Sequence, residues 1–162
     1  MTKIDKVKNS SEDDLDSLSS FLEMQVESLQ CLKNRIDHSF LAAACAVSQC
    51  GGKVIFTGVG KSGHVGKLLA STYCSLGISS ICLNSNEALH GDLGVLDRAD
   101  LLVAISNSGQ TKDVIKVINF AKLKNIKTVG VLGNRSPMSE LVDVFLDASV
   151  NAEAGYLNCI PM

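Results

Sequence analysis

The chain has 162 residues, 46% of them hydrophobic, enough to bury roughly two thirds of its unfolded surface around one core. Its 15 basic and 17 acidic residues leave a formal charge of −2 with no basic stripe, which excludes the electrostatic footprint of a nucleic-acid binder. No segment has the apolar length of a signal peptide or a bilayer span, so a cytoplasmic protein with no membrane partner is expected.

In chain order, residues 1–14 are polar and end in Ser10-Ser11-Glu12-Asp13-Asp14, a start signal for a helix with acids in its first turn. Leu15, Leu18, Leu22, Val26, Leu29 and Leu32 then recur at steps of three and four, which predicts one apolar face on a helix of about five turns. That face is expected to pack on its own domain, with subunit contact as the other use. A second helix is predicted over about Phe40 to Gln49, closing at Gly51-Gly52.

From residue 53 short apolar, β-branched runs alternate with amphipathic segments. The runs are Val54 to Thr57, Ser80 to Leu83, Leu101 to Ile105, Thr128 to Leu132 and Val144 to Leu146; the segments lie near Gly63 to Leu76, Thr111 to Lys124 and Pro137 to Val142. Such runs read as strands buried on both faces. The expected fold is α/β, a doubly wound five-stranded parallel sheet with helices on both faces and an amino-terminal helical extension. Residues 1–38 form the extension and 39–162 the domain in this reading. Cys31, Cys45, Cys50, Cys74, Cys82 and Cys159 form no Cys-x-x-Cys pair, and several sit in apolar runs, so free thiols are expected.

In such sheets ligands bind beyond the carboxyl ends of the strands. After the first strand comes Gly58-Val59-Gly60-Lys61-Ser62-Gly63-His64. A triphosphate loop would need glycine where Ile55 stands. The glycines fit a dinucleotide fingerprint, yet the next strand ends Leu83-Asn84-Ser85-Asn86, delaying the required acid to Glu87. After the third strand, Ser106-Asn107-Ser108-Gly109-Gln110-Thr111 runs into a helix. Its hydroxyls, its flexible glycine and the amides of the helix start make a cradle for one terminal phosphate, without a cation in the loop. An ordinary serine-rich loop with an N-cap is the competing reading.

With Glu87-Ala88-Leu89-His90-Gly91-Asp92-Leu93-Gly94 between them, these two blocks resemble the SIS (sugar isomerase) domain family, and within it the arabinose-5-phosphate isomerases. The resemblance covers about residues 40 to 161 and implies a flavodoxin-like SIS fold, a sugar-phosphate substrate and no metal or organic cofactor. It assigns Ser62, Ser106, Asn107, Ser108 and Thr111 to the phosphate, Gly60 and Gln110 to orienting the substrate, and Lys61, His90 and Glu153 to catalysis. A homodimer or homotetramer is implied as well.

An aldose–ketose isomerase moves a proton between neighbouring carbons through an enediolate, so it needs a base beside the carbons and donors or positive charge beside the oxygens. Glu153 matches a glutamate that similar enzymes use as the base; a solvated terminal acid is the alternative. Lys61 would steady the enediolate oxygen, or merely complete a surface turn. His90 would polarise the carbonyl or help open the sugar ring, or be a neutral structural histidine. His64 is read as packed or partly exposed.

Two departures bear on activity. Gln110 stands where the isomerases usually carry glutamate, and an amide orients but cannot accept a proton as a base. The ending Leu157-Asn158-Cys159-Ile160-Pro161-Met162 stops where similar proteins continue toward an active-site histidine and paired CBS domains, so the SIS domain is expected to be carboxyl-terminally incomplete. Isomerisation of ribulose 5-phosphate and arabinose 5-phosphate is the leading expectation. A regulatory module that binds a sugar phosphate with impaired catalysis is the second, and a dinucleotide-binding domain the third.

Overall fold

The computed structural model describes residues 12–151 and Glu153. They belong to two compact units, one comprising residues 1–35 and 150–162, the other Ile36–Ser149. In the first unit, α1 spans Glu12–Asn34, with Lys33 in its last turn, where a cation complements the helix dipole. Leu15, Leu18, Leu22, Val26 and Leu29 are each at least 54% exposed, so the expected packing of this stripe on its own domain is not met.

The second unit opens with α2 (His38–Ser48), whose first amides are capped by Asp37: the carboxylate accepts the Ser39 N–H at 2.8 Å. Five strands follow: β1 (Val54–Gly58), β2 (Ser80–Asn84), β3 (Leu101–Ser106), β4 (Lys127–Leu132) and β5 (Val144–Asp147). All pair in parallel, in the order β2-β1-β3-β4-β5. The intervening helices are α3 (Lys61–Ser75), α4 (Ser85–Ala88), α5 (Lys112–Leu123) and α6 (Pro137–Leu141). The predicted doubly wound sheet is therefore present, with strand ends moved by a residue or two. Pro137 opens α6 after Ser136, as its fixed φ favours. Unforeseen are α4 and a 3-10 turn at Asp92–Val95.

Alternation along the strands divides the core between the two sheet faces. Ile55, Leu102, Ala104 and Leu132 pack with Val114, Val117, Ile118 and Ala121 of α5, and with Ala88 of α4. Val54, Phe56, Leu101, Val103 and Val129 pack on the other face with Ala70 of α3 and the half-buried Ala43, Ala46 and Val47 of α2. Phe56 meets Tyr73 edge to face, with centroids 5.1 Å apart. Burial of both faces explains why these strands read as continuous apolar runs.

The amino-terminal ends of β1 and β3 are fastened by Asp100, whose side chain is 1% exposed. It accepts N–H bonds from Lys53 at 2.7 Å and Asp97 at 2.8 Å, and the Lys53 ammonium at 3.0 Å. Burial pulls this carboxyl upward, but the two amides and the lysine outweigh it and hold the pKa below the usual carboxylate value. Asp143 ties β4 in a similar way, accepting from the Thr128 amide and hydroxyl at 2.7 and 2.9 Å. These anchors hold the end of the sheet opposite the loops described next.

Candidate functional site

Strand order reverses between β1 and β3, and the carboxyl ends of these neighbours open a crevice at the switch point. The chain can turn there only because its α-carbons are bare. A Cβ on Gly58 would stand 3.0 Å from the Ile105 carbonyl oxygen, and one on Gly63 would stand 3.1 Å from the Gly58 carbonyl oxygen. Gly60, the N-cap of α3, has φ of 59°, a left-handed conformation that glycine adopts without strain.

Two helices begin at this crevice, α3 after β1 and α5 after β3. Neither has a side-chain cap on its first-turn amides. By contrast α2 is capped by Asp37 and α4 by Asn84, which accepts the Asn86 N–H at 3.0 Å. Uncapped first-turn N–H groups and the positive end of the helix dipole together attract an anion.

The loop from Ser106 to Thr111 is shaped by its own hydroxyls. Buried Ser106 Oγ accepts the Gly109 N–H at 3.1 Å and lies 3.2 Å from Thr111 Oγ1. Exposed Ser108 Oγ accepts the Gln110 N–H at 3.2 Å, which leaves its proton for another acceptor. Gly109 has φ of 61°, and a Cβ there would collide with Ser136 Oγ. The chain after β4 backs the loop: the Gly133 N–H donates to the Ser106 carbonyl at 3.1 Å, and Asn134 Nδ2 donates to the Asn107 carbonyl at 3.2 Å.

Lys61 and Ser62 are the first two residues of α3, exposed and half-buried respectively. Ser106, Asn107, Ser108, Gln110 and Thr111 follow β3 at the neighbouring strand end. His90 is exposed in the turn after α4, where its N–H donates to the Glu87 carbonyl at 2.9 Å. Thus the loops after β1, β2 and β3 carry nine of the ten candidate residues, counting Gly60. The tenth, half-buried Glu153, belongs to the first unit.

Sequence reading passed over Lys112, the exposed first residue of α5, which puts a cation immediately after the loop read as uncharged. Its signal was the Thr111-Lys112 step at the helix start. Among the described residues, no group of three or more His, Cys, Asp or Glu side chains could hold a metal ion, and no helix is long and apolar enough to cross a membrane.

A sheet in this order, with glycine and serine turns at its switch point, is the architecture of sugar-phosphate-binding domains, and the family model described as SIS domain matches residues 47–161. The chain belongs to the SIS-domain family. Arabinose 5-phosphate isomerase KdsD of Pseudomonas aeruginosa is 35% identical over 150 residues, covering 92% of this chain and 46% of the relative. Arabinose 5-phosphate isomerase GutQ of Escherichia coli K12 is 35% identical over 141 residues, covering 86% of this chain and 44% of the relative. The chain therefore spans about half the length of these curated relatives.

Among solved structures, Escherichia coli CFT073 c3406 in complex with arabinose 5-phosphate superposes with a TM-score of 0.87 at 27% identity, covering 94% of this chain and 81% of that one. The Vibrio vulnificus NanR protein complexed with ManNAc-6P gives 0.73 at 28% identity, covering 90% of this chain and 54% of NanR.

Proposed function

We propose that the chain is a phosphosugar isomerase that interconverts ribulose 5-phosphate and arabinose 5-phosphate in the cytoplasm, working as a homodimer or homotetramer. The observation that carries this reading is the pair of uncapped helix starts, α3 and α5, flanking one crevice beside the hydroxyls of Ser62, Ser108 and Thr111. The phosphate of the substrate docks there, with Ser106 shaping the loop and Asn107 and Gln110 at its rim. The named isomerases KdsD and GutQ and the arabinose 5-phosphate complex of c3406 support the choice of sugar. The exposed leucine stripe of α1 supports self-association.

Anchoring the phosphate leaves the carbonyl end of the open-chain sugar to the loops bearing Lys61 and His90. In the ketose-to-aldose direction, Glu153 takes a proton from C1 and the electron pair moves to the C2 carbonyl oxygen, forming the enediolate. Lys61 stabilises that oxygen as its charge develops, and His90 donates to the oxygens as protons are redistributed. Reprotonation at C2 and loss of the O1 proton complete the aldose. Gly60 lets the first turn approach the sugar closely.

Gln110 favours a second reading, in which the chain binds a sugar phosphate as a regulatory module and turns it over poorly or not at all. NanR complexed with ManNAc-6P is a structural precedent for binding by a similar domain. Proton NMR of ribulose 5-phosphate with this chain in deuterated water separates the two. The isomerase reading predicts arabinose 5-phosphate and deuterium at the exchanging carbons; phosphate-dependent binding without exchange would replace it with the second.

A further inference from the structure

We infer that Thr57 and Ser85 are positioning residues, a buried hydroxyl pair that fixes the His90 turn against the Lys61–Ser62 turn. Both side chains belong to residues that are 0% exposed. Thr57 Oγ1 donates to the Leu83 carbonyl at 2.7 Å and lies 2.8 Å from Ser85 Oγ. A hydroxyl has one proton to give, so once Thr57 has donated to Leu83, Ser85 must be the donor in the second bond. The result is a directed relay from Ser85 through Thr57 to the end of β2.

Its place in the chain makes the relay more than a core bond. Thr57 is followed at once by Gly58 and the turn that delivers Lys61 and Ser62 to the head of α3. Ser85 is the first residue of α4, whose last residue, Ala88, is 0% exposed against the apolar side chains of α5. From there the His90 N–H closes on Glu87 and the Gly91 N–H on Ala88, at 2.9 and 3.3 Å. A four-residue helix has little stability of its own. It is held at its head by Asn84 and by the relay, and at its tail by Ala88. The relay is the bond that joins it to β1, and so joins the His90 turn to the Lys61 turn.

The test compares amide hydrogen exchange at residues 88–91 in the wild-type chain with Thr57→Val, Ser85→Ala, the double variant and Thr57→Ser. Thr57→Val and Ser85→Ala should each speed exchange there about 10-fold, the factor that corresponds to losing one buried hydrogen bond. The amides of α5 should change less than about twofold by the same local-opening argument. Thr57→Ser should restore protection, and the double variant should be less perturbed than Thr57→Val, because it leaves no buried hydroxyl orphaned. Should Thr57→Val fail to fold, Ser85→Ala makes the same comparison. Unchanged exchange at 88–91, or equal acceleration in α5, would overturn the inference.

The consequence for turnover rests on the isomerase reading: kcat should fall about 10-fold in Ser85→Ala with KM within about twofold, since the phosphate loop is untouched. Wild-type-like kcat alongside a loosened turn would overturn the positioning role. If the wild-type chain turns over no sugar, the exchange data still decide the inference, and the loss belongs to the isomerase reading alone.

Discussion

Ser106 and Gly109 are joined across the loop that ends β3: the serine hydroxyl accepts the glycine N–H at 3.1 Å, beneath a turn whose φ only glycine adopts freely. The residue that looks like a phosphate ligand is thus first a shaping residue. Ser106→Ala should cost about 1 kcal/mol of stability, the usual net value of such a bond. Inorganic phosphate should also bind about tenfold more weakly if the loop's shape supplies a comparable share of binding. Thermal unfolding and calorimetric titration measure the two effects separately.

Gly109→Ala meets two obstacles at once. The left-handed backbone costs an alanine about 1–2 kcal/mol, and the new methyl runs into Ser136 Oγ. Phosphate binding should be lost before the fold is. The double variant Gly109→Ala/Ser136→Gly should recover the steric part and leave the backbone part, so partial recovery in denaturant melts is expected. Full recovery would show that φ at this position carries no cost.

Asp100 predicts the acid limb of stability. Its folded-state pKa is lowered, so its contribution is fully present above the unfolded carboxylate value and is lost as pH falls through the folded one. Stability should therefore decline below about pH 4, and this part of the decline should disappear in Asp100→Asn. Asp100→Ala leaves the buried Lys53 and Asp97 amides unpaired and should cost about 2–3 kcal/mol at neutral pH. Denaturant midpoints measured across the acid range up to neutrality check both statements.

Cys82 should be the slow thiol. Burial pushes its pKa up, against a smaller opposing pull from Lys67, and its Sγ is 3.2 Å from where a Cβ on Gly66 would lie. Reactivity requires an accessible thiolate. Alkylation followed by mass spectrometry should mark the exposed Cys45 and Cys74 well before Cys82.

Local pattern reaches some of this architecture and not the rest. The five strands are legible because burial on both faces forces apolar, β-branched residues at every position, as in Val54-Ile55-Phe56. The turns at Gly60 and Gly109 are legible because a left-handed backbone demands glycine. A four-residue helix such as α4 is too short to leave a periodic trace. The Thr57–Ser85 and Lys53–Asp100 bonds join residues 28 and 47 positions apart, and nothing in either local stretch announces the partner. Glu153 is reached through family resemblance, and its role rests there.

On the proposed reading, the crevice between β1 and β3 holds a sugar's phosphate on two helix starts. Amide NMR of the 15N-labelled chain, titrated with arabinose 5-phosphate and with inorganic phosphate, tests this most directly. Saturable shifts are predicted for both ligands at residues 61–63 and 108–113, with further shifts around His90 for the sugar alone. Saturable shifts confined to the opposite end of the sheet, around Asp100 and Lys127, or no saturable shift at residues 61–63 and 108–113, would contradict it.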